Sequence, residues 1–181
     1  MKRYCHGLMS DLPRKSVEPI ALAGGGAVRV LQQFLADYVW DHDRMRDEIQ
    51  RRIVRDHLPA PGEKPEGGIG TVGWIDETAV AKKGDKSPGV QRQYCGASGK
   101  IDNCIVTVHL ACRYGEFMAL LDRDLFLPKD SWGQDRDRCR EAHIPDDVAY
   151  RSKWRIALEQ IQAAILRAQA GRQRRRLWQA I

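Results

Sequence analysis

Apolar positions recur at helical spacing throughout residues 1–58. One set falls in the segment VRVLQQFLADY and another in MRDEIQRRIVRDHL, and each set lies along one side of a helix. The members of the two sets are Val28, Leu31, Phe34 and Leu35, and then Met45, Ile49, Ile53 and Val54. Pro59 ends the second helix because proline cannot continue the hydrogen-bond pattern. The pattern predicts a helical N-terminal domain over residues 1–58.

Three consecutive glycines, Gly24, Gly25 and Gly26, separate the segment VEPIALA from the next helix. A phosphate-binding loop would need a preceding strand and a G-x-G-x-x-G or Walker spacing, and the sequence has neither. A flexible turn between two helices fits better. Two interpretations stay open: a helix-turn-helix pair that binds DNA, and an ordinary helical hairpin.

The pattern changes after residues 59–68, whose sequence PAPGEKPEGG is that of a linker. Short apolar runs that are rich in β-branched and aromatic residues then predict strands. These runs are IGTVGWIDET, VQRQY, CIVTVHLACR and FMALLDRDLFLP. The last two form a hairpin around the turn Tyr114-Gly115-Glu116. The second half of the chain is therefore predicted to contain an antiparallel sheet.

A charged, irregular segment follows the strands up to Tyr150, with a short polar helix broken at Pro145. The final helix is capped by Ser152 and can end at Gly171, before a basic tail over residues 171–181. Its predicted apolar stripe, which should pack on the sheet, consists of Trp154, Leu158, Ile161 and Ile165. Helices, linker, strands and a covering helix together predict an α/β fold.

Composition and charge restrict the classes of protein to consider. The hydrophobic fraction of 43% and the charged fraction of 30% are near those of globular proteins. No apolar run approaches the roughly 18 residues that span a bilayer, and the start lacks the apolar core of a signal peptide. We therefore expect a cytoplasmic protein without a membrane partner. Five cysteines without a CxxC pair argue against a disulfide framework and a zinc site.

The net charge of +6 is concentrated at one end of the chain. Residues 167–181 contain five arginines and no acid, so the rest of the chain is nearly neutral. A basic tail attracts phosphates, but a nearly neutral body must bind DNA through local patches.

Two carboxylates, Asp76 and Glu77, end the apolar run GTVGWI. A carboxylate at the end of a central strand is held at the rim of the sheet, where it suits Mg²⁺, which prefers oxygen ligands. The ordinary alternative is a surface acid that caps a loop or pairs with Lys82 or Lys83. Glu77 is expected to face solvent, because neighbours on a strand point to opposite faces. His109 lies inside an apolar strand and is expected to be a core histidine.

Several blocks of the sequence resemble bacterial insertion-sequence transposases of the DDE superfamily, the group described as DDE superfamily endonucleases. The block WIDETAVAKKGDKSPGVQRQYCGASGKIDNC resembles the signature around the first catalytic aspartate of that family. MALLDRDLFLPKDSW, followed by DRDRCREAHIPDDVAYRSKWRIALEQI, resembles its later segment. RKSVEPIALA with LQQFL resembles its helical leader, so the similarity runs in order over roughly residues 14–164.

The resemblance implies a partial ribonuclease H-like domain over residues 69–170. Asp76 then occupies the position of the first catalytic aspartate, which binds the divalent metal ions, here Mg²⁺, that are used to cut and rejoin DNA at the element ends. Basic residues in the adjacent loop and second strand become candidates for contacts to DNA phosphates, with solvated surface charges as the alternative. These residues are Lys82, Lys83, Lys86 and Arg92.

The family pattern also requires a second aspartate on a later strand and a third acid. No segment after residue 128 predicts such a strand, and Glu159 on the last helix is expected to face solvent. The sequence therefore predicts a transposase-family protein that is truncated or frame-shifted and lacks cleavage activity alone, with its first strand missing a parallel neighbour. Two alternatives stay open: a non-catalytic DNA-binding protein that inhibits the full-length transposase, and a split enzyme completed by a second polypeptide.

Overall fold

The computed structural model of the protein describes residues 2–60, 62–64 and 68–179, with side chains up to residue 170. The chain divides into two compact units, Met1–His42 and Asp43–Ile181. The first unit contains α1 (Lys2–Met9), α2 (Val17–Ala23) and α3 (Val28–Ala36). No helix in the described part of the chain is long and apolar enough to span a bilayer.

The second unit is a mixed α/β structure built on an antiparallel sheet. It contains α4 (His42–Asp56), β1 (Val72–Ala81), β2 (Gln91–Cys95), β3 (Lys100–Tyr114), β4 (Phe117–Leu125), a π-helical turn (Lys129–Gly133), α5 (Arg136–Glu141) and α6 (Lys153–Gln179). The predicted hairpin between β3 and β4 is confirmed, and Gly115 supplies the positive φ of 56° that its turn requires.

In the first unit, α1 and α2 pack closely because Gly7 has no side chain. Gly7 is buried, and a Cβ atom placed there would overlap the side chain of Ile20. Between α2 and α3 the chain turns at the three glycines, with Gly25 at a φ of 63°. The predicted turn is therefore confirmed, whereas DNA binding by a helix-turn-helix pair stays a prediction.

The long strand β3 lies at the centre of the sheet. β1 runs antiparallel along one edge of β3, while β2 and β4 follow one another along the other edge. The register shows this arrangement, because Cys104 is opposite both Ala81 of β1 and Gln91 of β2. The outer edge of β1 has no strand partner among the described residues.

Asp76 lies in the middle of β1, which corrects the expectation that the strand ends at its two acids. The strand continues through Thr78 to Ala81, and these residues pair with Cys104–Thr107 of β3. The β-branched Thr78 and Val80 after the acids favour a strand, and β3 is long enough to pair with all the residues up to Ala81.

The sheet has two different faces because successive side chains of a strand alternate. The even-numbered residues of β3 from Cys104 to Cys112 are buried on the face covered by α6, which we call the α6 face. Asp76, Thr107 and His109 lie on the other face, the Asp76 face. At one end of the Asp76 face, Ile105 and Leu125 pack against a core of Val90, Leu127, Trp132 and Cys139. Around Asp76 this face is exposed.

Helix α6 packs on the sheet with a different side from the one that the apolar pattern predicts. The predicted stripe is exposed, with Trp154 at 68% and Ile165 at 52% of its full accessible surface. Ile156 and Gln160, at 1% and 5%, face the sheet instead. The Gln160 side-chain amide donates a 3.0 Å hydrogen bond to the carbonyl oxygen of Val108. The helix also continues past Gly171, where the sequence predicts its end.

Polar contacts join α4 and α6 to the sheet. The Gln50 side-chain amide of α4 donates a 2.8 Å hydrogen bond to the carbonyl oxygen of Leu121. Arg167 of α6 forms ion pairs of 2.8 Å with Asp47 and 3.4 Å with the buried Asp122. Helix α4 therefore belongs to the same compact unit as the sheet from Asp43 onward.

The division of the chain at residues 58 and 59 stays a prediction about domain organisation. Residues 61 and 65–67 of the proposed linker 59–68 lie outside the described residues, as do residues 180 and 181 of the basic tail.

Candidate functional site

The Asp76 carboxylate is exposed on the Asp76 face and has an oxygen available for a ligand. Its Oδ1 atom accepts a 2.8 Å hydrogen bond from the backbone amide of Glu77. Within the described part of the chain, the carboxylate forms no ion pair, so the alternative pairing with Lys82 or Lys83 is not observed. The pairing of β1 with β3 along ten residues holds this side chain on a regular part of the sheet.

Glu77 points to the α6 face, as the strand alternation requires. Its side chain is exposed, as predicted, but it forms a 2.5 Å ion pair with Lys153 at the start of α6. The two adjacent acids therefore have separate surroundings. Glu77 connects β1 to α6, while Asp76 faces away from that helix.

A row of polar side chains crosses the sheet at Asp76. His109 of β3 lies directly opposite Asp76, and Arg123 of β4 lies directly opposite His109. The Cβ atoms of such cross-strand neighbours are about 4.5–5.5 Å apart. His109 is half-buried and lies on the exposed face with its Nε2 atom 2.7 Å from Thr107 Oγ1, so the expectation of a core histidine is corrected.

The proximity of His109 and Arg123 to Asp76 was not predicted from the sequence, because it depends on strand register. A usable signal was nevertheless present in the alternation of β3. Once Cys104, Val106 and Val108 are assigned to a buried face, His109 must point to the opposite face.

The four basic residues predicted to contact DNA lie at one end of the sheet and not beside Asp76. Lys82, Lys83 and Lys86 are in the loop after β1, and Arg92 is in β2 opposite Asn103, on the Asp76 face. Lys82 is six positions along the chain from Asp76, which corresponds to about 20 Å in an extended strand. Lys86 forms an exposed 3.5 Å ion pair with Glu141. Whether these residues bind DNA stays a prediction.

The loop that carries these lysines is held in place by Asn103. The side-chain amide of Asn103 donates 2.9 Å hydrogen bonds to the carbonyl oxygens of Lys82 and Gly84. The backbone amide of Lys82 in turn donates to the carbonyl oxygen of Asn103 at 2.8 Å. The basic loop is thus anchored to β3, and its position relative to Asp76 is defined by the sheet.

The described residues do not assemble a complete metal site. Among them, no group of three or more histidine, cysteine, aspartate or glutamate side chains is arranged to hold a metal ion. Glu159 of α6 accepts hydrogen bonds from Arg151 at 2.8 Å and Arg155 at 2.7 Å. These bonds, first the one from Arg151, lower the pKa of the Glu159 carboxyl, so it is a structural ion-pair partner. Among the described acids of the sheet, Asp76 is left without an ion-pair partner.

Comparison with known proteins identifies the family. A family model described as DDE superfamily endonuclease matches residues 1–174. The chain is 35% identical over 120 residues to the probable transposase for insertion sequence element IS701 of Microchaete diplosiphon. This match covers 65% of the chain and 28% of that relative, so the chain spans just over a quarter of the relative's length. No solved structure matches the chain significantly. The chain belongs to the DDE superfamily endonucleases.

Proposed function

We propose that the chain acts in DNA transposition by contributing to a metal-dependent site for strand cleavage and strand transfer, in which Asp76 is the first metal-binding carboxylate. The observation that supports this proposal is the Asp76 carboxylate on the exposed face of the sheet, without an ion-pair partner among the described residues, in a family member. The proposal includes a ribonuclease H-like arrangement of the sheet, with β1 as the strand that carries the first acid.

The surroundings of Asp76 fit a magnesium ion in part. Mg²⁺ takes oxygen ligands and retains several waters, so one carboxylate together with a phosphate oxygen can bind it. When bound, a pair of such ions activates water and stabilises the leaving oxygen of a phosphodiester. The role of this chain is to hold the Asp76 carboxylate on a rigid strand at the point where the cation binds.

Two-metal cleavage needs more carboxylates than the described residues bring to Asp76. We therefore propose that the chain alone does not cleave DNA appreciably and that further acids complete the site. A second polypeptide, such as a full-length transposase of the same element, is one source of these acids. DNA at the element ends is the proposed substrate.

We further propose that Lys82, Lys83 and Arg92, with a smaller contribution from the ion-paired Lys86, bind the DNA backbone at the end of the sheet away from Asp76. The distance of about 20 Å from Asp76 to Lys82 corresponds to about six base pairs of duplex DNA. Backbone contacts at that distance would position the duplex without selecting its sequence. An alternative function, a DNA-binding protein that inhibits the transposase, is supported by the combination of the exposed Lys83, Lys86 and Arg92 with an acid set that is incomplete among the described residues.

Replacing Asp76 with asparagine is expected to weaken Mg²⁺ binding at least tenfold, because the amide keeps the shape of the side chain but removes its charge. Isothermal titration of the 181-residue chain with MgCl₂ measures this effect. Glu77→Gln is the matched control, because it removes the adjacent carboxylate on the opposite face, and it should leave Mg²⁺ binding unchanged. Equal losses in the two variants would contradict the assignment of Asp76.

Replacing both Lys82 and Lys83 with glutamine is expected to weaken DNA binding similarly for all sequences and to reduce its salt dependence. The slope of log affinity against log salt should fall by about 0.9 for each DNA phosphate that is no longer neutralised by a lysine. Gel-shift titrations at several salt concentrations measure the slope, with the exposed Lys129→Gln as a charge-matched control outside the loop after β1. An unchanged slope would show that these lysines do not contact DNA phosphates.

The same DNA substrate distinguishes the two proposed functions. DNA binding that is unaffected by Asp76→Asn, with no change in cleavage by added full-length transposase, would support neither a catalytic nor an inhibitory role. Inhibition of the full-length enzyme supports the inhibitor. Magnesium-dependent nicking by the chain alone, lost in Asp76→Asn, would show that the acid set is complete.

A further inference from the structure

We propose that His109 is a second ligand of the divalent cation held by Asp76, so that this site binds transition-metal ions such as Mn²⁺ more tightly than Mg²⁺. This inference rests on the proposed function, in which Asp76 binds a cation. It adds a nitrogen donor, and therefore a metal preference, to that site.

The register places the two side chains together. His109 lies directly opposite Asp76 in the pairing of β1 with β3, and both side chains are on the Asp76 face. With Cβ atoms about 4.5–5.5 Å apart, a cation bound to the carboxylate lies within reach of the imidazole. His109 is half-buried and Asp76 is exposed, so the pair borders solvent from which a cation can enter.

The hydrogen bonds of Thr107 are compatible with a proton on Nε2 of His109. A threonine hydroxyl has one hydrogen to donate and can also accept. The Thr107 hydroxyl donates to the carbonyl oxygen of Thr78 at 3.2 Å, and its Oγ1 atom is 2.7 Å from Nε2 of His109. With the hydroxyl hydrogen assigned to the carbonyl oxygen of Thr78, Thr107 Oγ1 accepts from Nε2–H of His109. The tautomer assigned from this network leaves the lone pair on Nδ1.

A histidine fixed through one nitrogen with the other free is typical of metal ligands in proteins. Ligating histidines donate their second ring N–H to an oxygen acceptor, which sets both the tautomer and the ring orientation. Here Thr107 supplies that acceptor, and Thr78 in turn orients Thr107. The arrangement therefore resembles the support of a metal-binding imidazole and places it beside a carboxylate that has no ion-pair partner in the described residues.

The donor set decides the metal preference. Mg²⁺ favours oxygen ligands, whereas imidazole nitrogen suits first-row transition metals. One carboxylate oxygen and one imidazole nitrogen leave most coordination positions of the cation for water and phosphate oxygens. Arg123, on the other side of His109, is placed to bind an anionic phosphate that shares the cation.

The test compares Mn²⁺ and Mg²⁺ binding by the 181-residue chain and its variants, using titration calorimetry and NMR of the histidine rings. Mn²⁺ is expected to broaden the ring resonances of His109 before those of His57, which stacks on Phe117 away from the row. His109→Ala should weaken Mn²⁺ binding at least tenfold and Mg²⁺ binding less than about twofold, because one nitrogen ligand is removed. Unaltered backbone NMR spectra verify that each variant is folded.

Two further variants separate ligation from a purely structural role of the histidine. His109→Gln keeps an amide that can donate to Thr107, so it preserves the local packing, and it should still lose the Mn²⁺ preference. Thr107→Val removes the acceptor that fixes the tautomer and should weaken Mn²⁺ binding by a smaller factor, which Thr107→Ser restores. Equal weakening of Mn²⁺ and Mg²⁺ binding in the His109 variants would assign a structural role and overturn the proposal.

Asp76→Asn distinguishes failure of this inference from failure of the proposed function. If Asp76→Asn weakens binding of both metals while His109→Ala changes neither, Asp76 binds the cation and His109 does not. If Asp76→Asn changes neither affinity, the proposed metal role of Asp76 fails, and the role of His109 fails with it. Weakening of both metals by Asp76→Asn and of Mn²⁺ alone by His109→Ala is the result expected here.

Discussion

Trp132→Ala is expected to lower the free energy of unfolding of the second compact unit by about 3–5 kcal/mol. Trp132 is fully buried among Val90, Leu127 and Cys139, so truncation leaves a large cavity. It also removes the 2.9 Å hydrogen bond from the indole Nε1 to the carbonyl oxygen of Val90, which then stays buried without that donor. Urea unfolding followed by circular dichroism measures the loss.

Two variants separate the contributions to this effect. Trp132→Phe keeps an aromatic ring but not the indole N–H, so it should cost less than the alanine variant. Trp154→Ala, at a tryptophan that is 68% exposed on α6, should change stability by no more than about 0.5 kcal/mol. If Trp154→Ala lowers stability as much as Trp132→Ala does, the outer side of α6 is covered in solution.

Gly89→Ala is expected to lower the free energy of unfolding by about 2–4 kcal/mol, because two separate penalties act at this position. Gly89 has a φ of 77°, which an alanine adopts only with backbone strain. An added Cβ atom would also lie 2.7 Å from the carbonyl oxygen of Phe126, a backbone atom that cannot rotate away. Urea unfolding measures the sum of the two penalties.

Two other glycines provide controls for these penalties. Gly99 has a φ of 66° but no atom within 4 Å of an added Cβ, so Gly99→Ala measures strain alone, about 1–2 kcal/mol. Gly84 has open space and no positive φ, so Gly84→Ala should have little effect. If Gly89→Ala and Gly99→Ala lower the free energy of unfolding equally, the segment after β4 is free to move away from Gly89.

The strands were predictable because their side chains alternate and their turns use glycine, as at Gly115 between β3 and β4. The orientation of α6 was not predictable from its apolar stripe. Gln160 and Arg167 use specific polar partners, Val108 and Asp122, that lie far away along the chain, and these contacts determine which side of the helix faces the sheet. Apolar periodicity therefore identified the helix but not its buried side.

Asp76 could be selected from the sequence as a candidate metal ligand, because it follows a short apolar run and lies in a block that resembles a family signature. Its position in the middle of β1 could not, because the length of a strand depends on how far its partner extends. The row formed with His109 and Arg123 requires the register of two strand pairs. A linear pattern gives the face of each side chain but not its neighbour across the sheet.

The distribution of the cysteines has a practical consequence for studying motions of the second unit. Cys95, Cys104, Cys112 and Cys139 are all buried and unbridged. Burial raises the pKa of the Cys104 and Cys112 thiols, which further suppresses the reactive thiolate. A thiol reagent can modify these side chains only when the surrounding layer opens, so labelling rates measure opening free energies without engineered probes. Cys95 and Cys104 lie on the α6 face of the sheet, whereas Cys139 lies in the core that packs on the opposite face. Their labelling rates therefore report the opening of the two sides of the sheet separately within one molecule.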